Sequence, residues 1–308
     1  MSRLSNPAIS TTAQQALDQY AASLQQEVDV SAATVRNYVS DLRQFMAWCE
    51  TTWAAGQEET RTWTPATITT VLLTRYRAFL QHTQRLKPAS VNRALVTLKR
   101  YAAWATEQGL ISRNPATVVK LIPRKPGAPR QIDDDEEDAL VSTVTSLGSL
   151  RDRTMIVLML HTGLRAHEVC TLQRTNVTLG KRSGMLTVYG KRNKYREIPL
   201  NATARAALSD YMETLPATCL YLFPSEKTQV ALSERALGHV IKKYAALAHV
   251  RDVSPHDLRH RFGYRMAEAV PLHRLAQIMG HDSLDTTLLY IRGTQRDLQQ
   301  EVEKIAWE

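Results

Sequence analysis

Cysteine is scarce in this chain. Cys49, Cys170 and Cys219 are the only three in 308 residues, and their wide spacing supports neither a disulfide framework nor a paired zinc site. They read as small packing side chains in a reducing, cytoplasmic compartment. No stretch approaches the roughly 20 consecutive apolar residues that a membrane span requires. The opening Met1–Pro7 has no apolar signal core. Internal repeats and low-complexity tracts are missing too. The one dense acidic group, Asp133–Asp138, reads as a helix N-terminus favoured by the helix dipole, not as a metal site. No other carboxylate cluster suggests a metal, and no cofactor is expected.

What is present is positive charge. Thirty-nine Lys and Arg against 30 Asp and Glu give a net charge of +9, with 44% hydrophobic and 22% charged residues. The composition is that of a globular chain of two domains. The charge excess suits a polyanionic partner, because each neutralised phosphate releases condensed counterions. Charge alone does not separate nucleic acid from an acidic membrane surface.

From about Thr12 to Gly109 the pattern is helical. Ala16, Tyr20 and Leu24 share one face, and Val35, Tyr38, Leu42, Phe45 and Met46 share another, with Ser31 as a plausible cap. Further helices are expected at Thr67–His82 and at Pro88–Glu107, the latter with Val91, Leu95, Leu98, Tyr101 and Trp104 inward and Gly109 closing it. This defines a four-helix domain over 1–111. A connector over 112–131 carries four prolines and a set of cations, including Arg124, Lys125 and Arg130. Proline keeps such a segment extended, and the charges suit contact with a phosphate backbone.

The second domain, 132–308, is expected to be mostly helical. A buried helix over 153–160 ends at Thr162-Gly163. Met185–Tyr189 and Tyr195–Leu200 form a β-hairpin around the turn Gly190–Lys194. Helices follow at Ser233–Leu247, Ser254–Glu268 and Leu272–Met279, and an amphipathic helix at 294–308 puts Leu298, Val302 and Ile305 on one side.

Several residues in this domain carry chemistry. Arg165 follows a glycine turn, and its planar fork suits two non-bridging phosphate oxygens. Glu168, three residues on, orients Arg165 or a neighbouring histidine, or else forms an ordinary helical ion pair. Ser254-Pro255 is a strong helix start, with Asp257 able to complete a capping box. That helix sets His256 and Arg259 one turn apart on one face, near the positive end of its dipole. The hairpin turn supplies Lys191, Arg192 and Lys194.

The strings Thr-Gly-Leu-Arg-Ala-His-Glu (162–168), Ser-Pro-His-Asp-Leu-Arg-His (254–260) and Met-Gly-His-Asp-Ser-Leu-Asp-Thr-Thr-Leu-Leu-Tyr (279–290) resemble the tyrosine recombinase, or phage integrase, family. Thr34-Val35-Arg36-Asn37-Tyr38 and Ser90-Val91-Asn92-Arg93 are similar, less specifically, to that family's core-binding, SAM-like DNA-binding domain. The resemblance implies a mainly α fold, with a helical core-binding domain and a mostly helical catalytic domain holding a small β-hairpin.

It also implies roles. Tyr290 is the nucleophile; Arg165, Arg259 and His281 hold the phosphate; His256 manages a proton; and Lys191, with Lys194 as competitor, protonates the departing 5′ oxygen. Arg192 and Arg261 depart from the family pattern. Arg261 is expected to add a phosphate contact, with Arg36, Arg93, Lys99, Arg124, Lys125, Arg130, Arg192 and Lys194 as further DNA-binding candidates.

The implied activity is site-specific strand exchange through a 3′-phosphotyrosyl intermediate. The implied partner is double-stranded DNA with paired sites, bound by a nucleoid-associated homo-tetramer that exchanges the helix 294–308. A second recombinase or accessory protein is a further possible partner. The short segment before the first helix leaves no room for a separate arm-site domain, which favours a simple Xer-like or transposon-encoded enzyme. The rivals are a type IB topoisomerase-like enzyme that relaxes supercoils, a non-catalytic DNA-binding protein on the same fold and, more distantly, a metal-free phosphodiesterase, which would release its product instead of trapping protein on DNA.

Overall fold

The computed structural model describes residues 6–27, 30–56, 62–123, 130–190, 195–281 and 284–291. The chain divides into two compact units, Met1–Pro126 and Gly127–Glu308. Each has its own buried core. Among the described residues no helix is long and apolar enough to cross a membrane.

The first unit is built on four helices: α1 (Thr11–Gln26), α2 (Ala32–Ala55), α3 (Thr70–Ala78) and α4 (Pro88–Glu107). Ser10 caps α1 and also donates to Glu50 of α2 at 2.5 Å, so one serine fixes both the start of a helix and its neighbour. Ser31 caps α2 as its sequence suggests. The expected helix over Thr67–His82 is shorter. Thr69 caps α3 at Thr70, and the last turn widens into a π-helix over Phe79–Thr83. Gly109 takes φ 70, where a glycine meets no Cβ penalty, and the Leu110 amide donates back to Ala105 at 2.8 Å to close α4. Tyr20, Tyr101 and Trp104 pack edge-on and tilted around one another, and Phe45, Trp48 and Tyr76 do the same between α2 and α3.

The connector expected over 112–131 is in part fastened to this unit. Ala116 and Val119 are buried, Asn92 exchanges two hydrogen bonds with Ile122 at 2.9 and 2.8 Å, and Arg77 donates to the Lys120 carbonyl. Proline keeps the segment extended, and its open backbone groups are then satisfied by side chains of α3 and α4.

The second unit opens with α5 (Asp134–Leu147). Its acidic first turn is closed by a capping box between Asp133 and Glu136. α6 (Leu150–Thr162) is buried on nearly every side and ends at Gly163, φ 62. A Cβ at Gly163 would lie 2.4 Å from the Phe262 ring, so conformation and packing both demand glycine there. α7 (Ala166–Thr171) follows.

The hairpin is one part of a three-stranded antiparallel sheet, β1 (Val177–Leu179), β2 (Gly184–Tyr189) and β3 (Tyr195–Pro199), in that order. β1 is only three residues long, too short for an alternation signal. α8 (Ala202–Thr214), capped by Asn201 and packed on α6, was also not anticipated. α9 (Glu234–Leu247), α10 (Pro255–Ala269), α11 (Leu272–Met279) and α12 (Leu284–Ile291) complete the described fold. A small cluster of Phe262, Tyr264, Leu275, Met279 and Tyr290 joins α10 to α11 and α12.

Candidate active site

The site is organised around the C-terminal end of α11. A helix leaves its last carbonyls without internal partners, and here three arginines take them in succession. Arg196 of β3 donates through Nε to the Ile278 carbonyl at 3.1 Å, Arg259 of α10 through Nη2 to Met279 at 2.9 Å, and Arg165 through Nη2 to Gly280 at 2.7 Å. Gly280 has φ 66, and a Cβ there would stand 2.9 Å from the Arg196 side chain. His281 comes next, its amide closing the turn on Ala276 at 3.0 Å.

Glu168 holds two of these arginines. Its carboxylate, almost wholly buried, accepts from both terminal nitrogens of Arg196 at 2.7 and 2.9 Å. It also accepts from Nη1 of Arg165 at 3.1 Å and the Arg165 amide at 2.7 Å. Burial pushes this carboxyl up, but the Arg196 and Arg165 bonds outweigh it, and the net shift is downward. Of the readings open for Glu168, orientation of Arg165 fits its position, and the partner it shares is Arg196 and not a histidine. Arg259 is also tied through Nη1 to the Gly163 carbonyl, so the glycine turn after α6 serves as a second anchor.

α10 begins as its sequence indicates, with Ser254 and Asp257 in a capping box, the Asp257 carboxylate accepting from the Ser254 amide at 2.8 Å. His256 and Arg259 both line a cavity of about 530 Å³, together with Ala166 and with Arg235, His239 and Lys242 of α9. One turn on, the His260 ring meets His256 edge-on at 4.4 Å. Nδ1 of His260 lies 3.1 Å from the Tyr290 hydroxyl.

Tyr290 is 2% exposed, with its ring stacked near His281 and edge-on to Tyr264. Gly263 makes room for it: a Cβ there would be 2.5 Å from the tyrosine ring. His281 in turn shares a 2.8 Å hydrogen bond with the buried Thr287 of α12. The structure therefore brings together Arg165, His256, Arg259, His281 and Tyr290.

Electrostatics follow from burial among cations. Burial, with Arg259 and Arg165 beside it, pushes His281 down to about 4. His260 falls to about 4 through burial and the neighbouring His256. His256 shifts down for the same kinds of reason, burial and Arg259. Arg259 itself drops to about 10 through burial and Arg165. Burial raises the Tyr290 phenol to about 12, with Arg259 acting against it. At neutral pH the three histidines are uncharged, and the positive field comes from the arginines.

Other sequence candidates fall elsewhere. Lys191, Arg192, Lys194, Arg124 and Lys125 lie outside the described residues, as does 294–308. Arg36 is exposed on α2. Lys99 reaches the Thr117 carbonyl at 3.5 Å, Arg93 pairs with buried Asp41 at 3.0 Å, and Arg130 pairs with Glu136 at 2.7 Å. The phosphate contact expected of Arg261 is corrected. That side chain is buried and held by two carboxylates, Glu137 at 2.5 Å and Asp134, so its charge is neutralised inside the protein.

Sequence reasoning missed Arg196, His260 and Gly263. Arg196 shares the inward phase of β3 with buried Ile198, and a cation at such a position calls for an acid partner. His260 is four residues from His256 and so on its face. Among the described residues, no group of three His, Cys, Asp or Glu side chains is placed to hold a metal ion.

Comparison with known proteins agrees with this geometry. The model of the phage integrase family matches residues 130–296, and that of the phage integrase N-terminal SAM-like domain matches 17–109. The tyrosine recombinase XerC of Xanthomonas campestris pv. campestris (strain B100) is 32% identical over 284 residues, covering 89% of this chain and 83% of the relative. The tyrosine recombinase XerD of Xanthomonas campestris pv. campestris (strain ATCC 33913) is 34% identical over 233 residues, 70% of this chain and 71% of that one.

Among solved structures, the fold is similar to the XerH site-specific recombinase bound to difH substrate, with TM-score 0.68, 17% identity and coverage of 100% and 99% of the two chains. It is also similar to a lambda integrase dimer bound to a COC' core site, with TM-score 0.70, 18% identity and coverage of 92% and 97%. Two family models in tandem and a curated relative matched over most of its length place the chain in the phage integrase family, as a tyrosine site-specific recombinase.

Proposed function

We propose that this recombinase cuts and rejoins duplex DNA at paired sites through a 3′-phosphotyrosyl intermediate, with Tyr290 as nucleophile. The observation that carries this reading is the convergence of Arg165, Arg259 and His281 on one helix end, with Tyr290 on the helix that follows. Arginine forks held in place grip the non-bridging oxygens of the scissile phosphate, and fixed donors in a partly dry site need no reorganisation as charge develops. His281, neutral and with Nδ1 toward the Thr287 hydroxyl, presents its other ring nitrogen to the phosphate as a donor.

A phenol near 12 is protonated at neutral pH, so its proton must leave as the oxygen–phosphorus bond forms. His256, beside Arg259, takes part in that transfer. Lys191 of the hairpin turn then gives a proton to the departing 5′ oxygen. A 5′ hydroxyl from the partner duplex reverses the step, and the ester conserves the bond energy without a cofactor. Relatives solved with DNA, such as XerH on difH, support duplex DNA as the partner. Arg36, Arg93, Lys99, Arg124, Lys125, Arg130, Arg192 and Lys194 are proposed to meet its backbone, in a tetramer that exchanges the helix 294–308.

A suicide substrate nicked beside the scissile phosphate tests this reading. Covalent protein–DNA adduct should accumulate with the parent protein and be absent with Tyr290→Phe. Adduct formed by the phenylalanine variant would overturn the assignment.

A further inference from the structure

We infer that Arg196 is a positioning residue that holds the lysine-bearing hairpin against the arginine site. The inference rests on the reading of that hairpin as the source of the general acid. β2 ends at Tyr189 and β3 begins at Tyr195, and Arg196 stands opposite Val188, one residue into β3. Its guanidinium uses all three nitrogens. Two grip Glu168 of α7 at 2.7 and 2.9 Å, and the third donates to the Ile278 carbonyl at 3.1 Å.

Glu168 also holds Arg165, and Ile278 is the first of the three carbonyls that Arg196, Arg259 and Arg165 clamp. One side chain thus ties the base of the hairpin to the element that carries Arg165 and to the helix end that leads into His281. Tyr189 and Tyr195, the last described pair of the ladder, are both exposed, and the core contact nearest that end is Val188, opposite Arg196. The fastening nearest the turn among the described residues is the Arg196 fork. Planarity matters here: the three donors of a lysine radiate from one nitrogen and do not match a geometry of two parallel bonds plus a third spread along a flat guanidinium.

If Arg196 acts by placing a proton donor, its loss should be felt only where the leaving group needs a proton. In cleavage, the Tyr290 oxygen bonds to phosphorus, the phosphorus–O5′ bond breaks, and O5′ takes a proton. With sulfur in place of O5′, the leaving thiolate has a conjugate acid pKa of about 8.5 and departs unprotonated. Adduct formation by the full chain is therefore measured on an ordinary nicked substrate and on its 5′-bridging phosphorothiolate counterpart.

Arg196→Lys and Arg196→Gln should slow cleavage of the ordinary substrate by about 100-fold. Both should run within a few-fold of the parent on the sulfur substrate, with non-covalent DNA binding retained. Equal losses on both substrates, or no loss on the ordinary one, would overturn the positioning role. The underlying reading is tested in parallel with Lys191→Ala and Lys194→Ala. If neither is rescued by sulfur, the hairpin is not the source of the acid. Unrescued Arg196 variants beside a rescued lysine variant overturn only the role given to Arg196.

Discussion

Arg259 and Arg261 stand two residues apart on α10 and have opposite fates. Arg259 donates to the carbonyls of Gly163 and Met279, neutral acceptors that fix its direction and leave its charge uncancelled. Arg261 donates to Glu137 and Asp134, and Arg265 adds a second cation to Glu137 at 2.7 Å. Burial lowers the pKa of both. For Arg259 the neighbouring Arg165 deepens the fall, while for Arg261 the two carboxylates reverse it into a rise. The groups that hold an arginine thus set how much of its charge remains: the carbonyls around Arg259 leave it intact, two carboxylates offset it at Arg261, and Arg165, which shares Glu168 with Arg196, lies between these cases.

The contrast is broken or sharpened by substitution. Arg259→Ala should slow adduct formation about 1,000-fold, as removal of a fixed donor at a developing charge does. Arg261→Ala should instead leave buried Glu137 short of a partner, cost about 3 kcal/mol of folding stability and spare the cleavage rate of the folded protein. Urea unfolding and adduct kinetics on both variants decide it. A stability loss for Arg259→Ala alone, or a cleavage loss for Arg261→Ala alone, would invert the comparison.

A smaller effect, about 100-fold on cleavage, is expected for Gly263→Ala, whose new methyl would displace the Tyr290 ring. Its melting temperature should also fall, because displacing that buried ring outweighs alanine's better helix propensity. A rate equal to the parent's would show that the seat is not needed.

The pH response is smaller again. His260 and His281 are held near 4 against an ordinary value of 6.5, so between those limits the unfolded chain binds protons that the folded chain refuses. Stability should be complete above about pH 6.5 and decline as pH falls toward 4. The urea midpoint at pH 7 and pH 5 reads this. His260→Asn and His281→Gln should each flatten the slope, and an unchanged slope in both would count against neutral histidines. The smallest expected effect is that of Arg36→Gln, which should lower the salt slope of DNA binding by about one. An unchanged slope would remove Arg36 from the interface.

Much of the site was legible because it rests on local signals. Ser254-Pro255 and Asp257 announce the start of α10, the helical period then pairs His256 with Arg259, and Gly163 marks the turn that presents Arg165. Arg261 was misread because its fate depends on Asp134 and Glu137, over a hundred residues away, and no local pattern encodes that meeting. Arg196 was hidden for the same reason: its partners come from α7 and α11. α8 was overlooked, although Asn201 is a good cap, because its inward residues are partly alanines that give a weak apolar stripe. Local chemistry can be read along the chain, but the partners of a buried charge cannot.

Tyr290 rests in a seat formed by Gly263, Tyr264, His260 and His281, and only 2% of it meets solvent. In this state, reagents that modify exposed phenols have no access to it. If Tyr290 is the nucleophile, as proposed, its attack on a phosphate begins with unveiling, the hydroxyl leaving His260 and the ring giving up part of its apolar contact. Under that proposal the chain keeps its reactive oxygen sheathed away from its target.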